Sequence, residues 1–369
     1  MSTGRVAGAG SVAIVGGGLV GFTAFLALER GGVDDVTVFS SEVDPAAAWR
    51  RRAAAIRQTH MRSESDGHCL PTSFPGLAVT EAKRRRSLRP LVESACDRYH
   101  PTVAEFLDHV ETQRVRSGWS ERVVQARVER ITPVPGGFEL EGLGPFAHVL
   151  VATGHPGLTV PEELAEDPRA VHSYEPHGYG ENVCVVGAGL AAATEWLNAL
   201  AAGATVISVR RREPVRRPLN VPRHFLSKRG LRSFWRLGPD ERARRLATLL
   251  GPSYPPGAAW DGPLERARPD GRFRVEAAVN GADQVICATG FRRGFRHDPL
   301  LARLADEHGL ATAGRWLVLD ADCTVPALTD DSRTLAVCGV AGQYAYPAAD
   351  TLAGARYAGH AFLRRCRTR

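Results

Sequence analysis

From Ser11 the chain reads SVAIVGGGLVGFTAFLALERGG, and this order of apolar, glycine and apolar positions predicts three elements. The apolar run 11–15 is short and bounded by glycine, as a buried strand is. The positions after Gly21 recur at helical spacing and stop at Gly31-Gly32, which predicts a helix. A second β-run, 36–39, follows at once. From Asn182 the same pattern returns as NVCVVGAGLAAATEWLNALAAGATVISVRRR. It predicts a strand over 183–186, a helix ending near Gly203 and a strand over 205–209.

Between strand and helix each copy carries a glycine-rich turn. The first is Gly16-x-Gly18-x-x-Gly21 and the second Gly187-x-Gly189-x-x-Ala192. In such a turn the first glycine permits the tight strand-to-helix reversal, and the second admits a pyrophosphate against backbone. The third small residue lets the helix pack on the sheet. A glycine-rich turn alone is a weak sign of a dinucleotide site. Placed between a β-run and a helix, with another β-run behind, it is a strong one.

The tip of the second strand separates the two sites. Ribose hydroxyls are read there by an acid, and a 2′-phosphate by arginine. In the first copy the tip is Ser40, followed by Ser41 and by Glu42, the nearest acid. In the second it is Arg211, flanked by Arg210 and Arg212, which predicts a preference for NADPH. Two further apolar strands end in Ala-Thr-Gly, at Thr153-Gly154 and Thr289-Gly290. Small residues at such ends let backbone pass close to a bound nucleotide where the chain crosses between domains. A last strand over 334–339 and an Ala-rich helix over 348–362 close the pattern.

The double fingerprint, the paired Ala-Thr-Gly strands and the closing strand–helix resemble the two-dinucleotide-binding-domain flavoproteins. Among these the chain is most similar to the NADPH-dependent flavin monooxygenases (flavin-containing, N-hydroxylating and Baeyer–Villiger enzymes). The resemblance implies an α/β fold of two Rossmann-like domains, the NADPH domain inserted into a discontinuous FAD domain. The expected bounds are 1–157 and 288–369 for FAD, 178–287 for NADPH, and 158–177 for the linker. It also implies that Gly16, Gly18 and Gly21 contact the FAD pyrophosphate, and Gly187, Gly189 and Ala192 that of NADPH. Trp49 resembles the tryptophan placed beside the flavin, and His172-Ser173 the end of the monooxygenase linker motif. Gly339 stands on the last strand without the aspartate that many flavoproteins carry after it. The aromatic-x-Gly half of the linker motif is absent, which argues against a Baeyer–Villiger enzyme.

By the same resemblance NADPH reduces FAD, and reduced flavin with O2 oxygenates a small molecule at nitrogen, sulfur or beside a carbonyl. A flavoprotein reductase without oxygen insertion and a non-catalytic redox sensor are the alternatives. Substrate-side candidates lie in the segment 57–63, where Gln58, His60 or Arg62 could face the flavin ring. The basic, aromatic segment 217–235 is a candidate lid, and 231–250 predicts an amphipathic helix.

Composition narrows the class. The 369 residues, 44% hydrophobic and 24% charged, describe a globular chain with room for two cores. No apolar run approaches membrane-spanning length, and the first 18 residues lack the pattern of a secretory signal. Seven scattered cysteines without a CxxC predict a reduced, cytoplasmic protein with neither a zinc site nor a redox dithiol. The 47 basic residues include only two lysines, Lys83 and Lys228, a skew expected of a GC-rich genome. The net charge of +7 comes with no aromatic-interleaved basic stripe, so no nucleic-acid partner is expected. The run 83–86 is expected to be a solvated loop, and Cys287 a packing residue.

Overall fold

The structure is a computed structural model, and it describes residues 11–62, 76–95, 99–217 and 220–367. Cys69, Cys96 and Ser63 lie outside the described residues, as do positions 218 and 219 of the candidate lid.

Two five-stranded parallel sheets carry the molecule. In the first, β1 (Val12–Val15) leads through α1 (Leu19–Arg30) to β2 (Val36–Ser40). Then come β3 (Val123–Gln125) and β4 (His148–Val151). In the second, β5 (Ala170–His172) and β6 (Asn182–Val186) precede α2 (Leu190–Ala201). The strands β7 (Thr205–Val209), β8 (Phe273–Glu276) and β9 (Gln284–Cys287) complete it. The chain then returns with β10 (Thr334–Val337), which pairs with β4. The spatial orders are β10-β4-β1-β2-β3 and β8-β7-β6-β9-β5. Every strand of the second sheet thus falls between β4 and β10 of the first.

Strands β1, β4 and β10 are buried at every position, which is why they read as unbroken apolar runs rather than alternating ones. Helix α1 is covered by the closing helix α3 (Leu352–Arg367). A Cβ at Gly359 would come within 2.9 Å of Ala24 Cα, so glycine sets how closely these two helices approach.

Several local expectations change. The closing helix begins at Leu352 rather than 348, after a 3₁₀ turn over 339–344 and where the Thr351 hydroxyl accepts from the Gly354 N–H at 3.1 Å. The segment 231–250 is two helices, Lys228–Trp235 and Pro239–Leu249, parted at Gly238-Pro239, where proline cannot continue the first. The run 83–86 is no loop: Lys83 to Arg85 form the last turn of the helix Gly76–Arg85, and Arg84 and Arg85 bond the buried Glu81.

The basic segment 217–250 lies in sequence between β7 and β8 but packs elsewhere. Val221, Phe225, Leu231, Phe234, Leu246 and Leu249 belong to the core of the first sheet. Trp235 Nε1 donates to the Ala345 carbonyl at 2.7 Å, and Arg242 lies 4.8 Å from the Tyr344 ring. The insertion is therefore fastened to the first sheet's domain.

Candidate active site

Both glycine-rich turns open onto one cleft of about 1750 Å³. Their small residues divide the work by position, and the third of each, Gly21 and Ala192, does not reach the cleft where a pyrophosphate contact was expected. Gly16 has φ +109°, and a Cβ there would sit 2.3 Å from the Ala152 carbonyl oxygen. Gly187 has φ +140°, and its Cβ would meet the Ala288 oxygen at 2.4 Å. Each first glycine is thus required by the Ala-Thr-Gly strand end behind it. At Gly18 and Gly189 a Cβ would meet nothing within 4 Å, so these face open space. Gly21 is buried under the turn, its Cβ position 2.0 Å from the Gly16 oxygen, and Ala192 is fully buried. Neither lines the cleft.

The helices behind these turns, α1 and α2, begin without a side-chain cap. Their first N–H groups and the positive ends of their dipoles point at the space beside Gly18 and Gly189. Each turn thus forms a backbone-walled concavity of the kind that suits an anion, and a side chain there would obstruct it.

The remaining expected residues fall into two groups. Thr153, Gly154, Thr289 and Gly290 line the cleft. The Thr153 hydroxyl bonds Asp298, which caps the helix Pro299–His308, and the Thr289 hydroxyl bonds the Thr159 carbonyl. His172 and Ser173 stand behind. The Tyr174 N–H donates to His172 Nδ1 at 3.1 Å, so Nε2 carries the proton and donates to the Gly290 carbonyl at 3.1 Å. Burial lowers the His172 pKa, in keeping with a neutral ring that braces this turn. Gly339 is buried against Val20 and does not reach the cleft.

At the tip of β2 the Ser40 hydroxyl donates to the Glu42 carbonyl at 2.8 Å and accepts from the Glu42 N–H at 3.2 Å. This turn folds Ser40 onto its own loop and carries Glu42 to the cleft wall, where Arg51 Nη1 donates to its carboxylate at 2.8 Å. Ser41 and Trp49 line the same wall, with Trp49 edge-on to Phe106 at 5.1 Å. At the tip of β7, Arg210, Arg211 and Arg212 all line the cleft. Arg210 pairs with Glu213 at 2.8 Å and Arg211 with Glu163 at 3.2 Å.

Of the three substrate-side candidates the structure brings one to the cleft. Gln58 is half-buried and His60 exposed, and both lie outside it, with Gln58 Nε2 donating to the His60 carbonyl at 2.9 Å. Arg62 lines it. Its guanidinium donates to the Arg217 carbonyl at 3.2 Å and to Ser253 Oγ at 3.0 Å. Burial and the neighbouring Arg217 push the Arg62 pKa down to about 10, against the pull of Asp350, so the group stays cationic near neutrality. Asn220 Nδ2 donates to Asp350 Oδ1 at 2.7 Å. Arg62, Asn220, Ser253 and Asp350 form a polar chamber walled by Val221, Leu226 and Leu250 of the basic insertion. Asn220, Ser253 and Asp350 carry no motif of their own, because only the fold assembles them.

Between the two cradles the crossing segments pair. The Thr159 N–H donates to the Gly290 carbonyl and the Arg292 N–H to the Gly157 carbonyl, each at 2.9 Å. Over this joint Tyr174 stacks on Phe291 at 4.9 Å, and His155 packs on Phe291 at 4.0 Å. Cys287 is buried, and burial pushes its thiol up to about 11, so it is no nucleophile at neutral pH. Among the described residues no His, Cys, Asp and Glu side chains group as a metal site, and no helix is long and apolar enough to cross a membrane.

No family model matches the chain, and no curated protein is similar to it. Solved structures are. An ornithine N-hydroxylase of Kutzneria sp. 744, KtzI, determined with reduced FAD, NADP+ and L-ornithine, superposes with a TM-score of 0.71 at 16% identity, over 96% of this chain and 98% of that one. DfoA, the FAD-bound cadaverine monooxygenase of Erwinia amylovora, gives 0.72 at 13% identity, over 97% and 94%. The bacillithiol disulfide reductase Bdr of Bacillus cereus gives 0.60 at 15%, over 96% and 98%. The chain has the fold of the two-dinucleotide-domain flavoproteins. It shares that fold with flavin monooxygenases and with a flavin reductase, over nearly its whole length.

Proposed function

We propose that this chain is an FAD- and NADPH-dependent monooxygenase that oxygenates a small polar molecule with O2, at nitrogen as the ornithine and cadaverine enzymes do. The observation that carries the reading is the single cleft, onto which both glycine-rich turns and one polar chamber open. The residues fit the cofactors: a Cβ at Gly18 or Gly189 would fill the cradle, and the uncapped helix ends supply donors to phosphate. Residues 1–157 and 288–369 would hold FAD, with Glu42 replacing the strand-tip acid at the ribose. Residues 178–287, apart from the insertion 217–250 that packs on the first sheet's domain, would hold NADPH beside Arg211 and Arg212, and 158–177 link the two. When bound, the flavin supplies the redox and oxygen chemistry.

The chain's own part is binding and exclusion. Arg62 and Asp350 place opposite charges in the chamber, so a substrate carrying an acid and an amine can be fixed at both ends. The insertion, fastened through Trp235 and Arg242, lends Asn220, Val221, Leu226 and Leu250 to the chamber's wall. Gln58 and His60 have no place in this chemistry. The free cysteines among the described residues suit a reducing compartment, in keeping with a cytoplasmic enzyme.

The test is turnover of the FAD-loaded protein with NADPH, isotopically heavy O2 and a panel of amines, thioethers and ketones. A nitrogen-oxygenated product carrying the heavy label is expected. NADPH consumed without labelled product, with a reduced disulfide or quinone instead, would establish a reductase.

A further inference from the structure

The second cradle holds a carboxylate that neither fingerprint announces. Glu163 lies on the 3₁₀ turn Glu162–Leu164 of the linker and accepts a hydrogen bond from Arg211 Nη2 at 3.2 Å. Both side chains line the cleft. The turn is anchored, since Leu164 is buried in a cluster with Cys184, Ile207 and Val285 on a face of the second sheet. A segment remote in sequence therefore puts an acid beside the tip of β7, where dinucleotide cradles read the adenosine ribose.

The chemistry at that tip is consequently double. A guanidinium pairs with a 2′-phosphate, whereas a carboxylate accepts from a 2′-hydroxyl and repels the phosphate. Arg210 is drawn away, pairing with Glu213 and lying 5.9 Å from the Trp196 ring. Arg212 is exposed and has no ion pair among the described residues. A 2′-phosphate that pairs with Arg211 must bear the Glu163 charge nearby. A 2′-hydroxyl can join the pair as it stands.

We propose that Glu163 is a coenzyme-specificity residue, opposing the 2′-phosphate and accepting from the 2′-hydroxyl, so that this cradle takes both NADPH and NADH. This rests on reading the second cradle as the nicotinamide-nucleotide site. Both groups are solvent-exposed, with side-chain exposures of 88% and 64%, which screens them and limits the effect to several-fold.

Calorimetric titration of the FAD-loaded chain with NADP+ and with NAD+ tests it, on the wild type, Glu163→Gln and Arg211→Gln. Glu163→Gln is expected to tighten NADP+ and weaken NAD+, each by roughly three- to fivefold. Arg211→Gln is expected to weaken NADP+ by more than it weakens NAD+. Glu163→Gln shifting both nucleotides by one common factor, or neither, overturns the proposal while leaving the cradle's identity intact. Failure of the wild type to bind either nucleotide overturns that identity and the proposal with it. Both variants alter exposed side chains, and an unchanged melting temperature confirms that they fold.

Discussion

A methyl group added at Gly16 and one added at Gly18 should fail for different reasons. At Gly16 the added carbon meets the Ala152 carbonyl and the backbone stands at positive φ. Gly16→Ala should therefore cost about 3 kcal/mol or more of stability, with or without cofactor. Gly18 has φ −72° and open space around its Cβ position. Gly18→Ala should cost about 1 kcal/mol or less in the apoprotein, yet reduce FAD uptake severely, because the methyl occupies the cradle. Thermal melting of the apoprotein and fluorometric FAD titration separate the two effects. Equal melting losses at both positions would refute the division of roles. The fingerprint itself was legible in the sequence because it is local: a turn, a helix start and a strand within a few residues. What each glycine avoids was not, since Ala152 lies far along the chain. The same limit applied to Arg62. Its segment looked uniformly polar, and only the fold turns Arg62 into the cleft while leaving Gln58 and His60 outside it.

At the scale of elements, the two strand–turn–helix units are near copies, and each depends on an Ala-Thr-Gly strand end. Both ends were visible in the sequence as short motifs. Their fastening was hidden, because Asp298, Thr159 and His172 come from separate segments. The joint between the units carries a pH dependence. Burial, then Arg52 and Arg293, push the His155 pKa down to about 3. The unfolded chain takes that proton near the ordinary imidazole value of about 6.5, so acidification favours unfolding from there downward until the folded ring also protonates. Nearby His177 runs the other way. Burial opposes its charge, but the Glu195 carboxylate and the Glu175 carbonyl outweigh that and raise its pKa. Its contribution is present below the ordinary imidazole value and is lost as pH rises through the raised one. His155→Phe keeps the stack on Phe291 and removes the titrating group. Its unfolding free energy should fall less than the wild type's between pH 7 and pH 5, by about 1–2 kcal/mol. Denaturant melts at the two pH values measure this, and parallel curves would remove His155 from the account.

At the scale of the whole molecule, the charge is not spread as an even compositional skew would spread it. Residues 216–250 hold ten Arg or Lys and two acids, Asp240 and Glu241, a net of +8 against +7 for the chain. The remainder is nearly neutral. Elsewhere many arginines pair with carboxylates, as Arg84, Arg114 and Arg130 do. In the insertion Arg229, Arg232, Arg236, Arg244 and Arg245 are exposed and have no ion pair among the described residues. Totals conceal such a gradient, and so did the reading of arginine abundance as genomic bias. The apolar periodicity of the insertion was legible, but not which core it joins, since its position in sequence points to the second sheet and its packing to the first. Leu226 and Leu250 of the same insertion line the cleft, although Arg244 and Arg245 themselves do not, so any action of this charge on the cleft is through its field. It should draw anionic nucleotides and substrates inward over about one Debye length, roughly 8–10 Å at physiological salt. The double substitution Arg244→Glu with Arg245→Glu should then slow NADP+ association by about two- to tenfold at low salt and leave its dissociation rate unchanged. Stopped-flow binding across a salt series shows the pattern: wild type and variant converge as ionic strength rises. A difference that persists at high salt, or that appears in dissociation, would mean that these arginines touch the ligand rather than guide it.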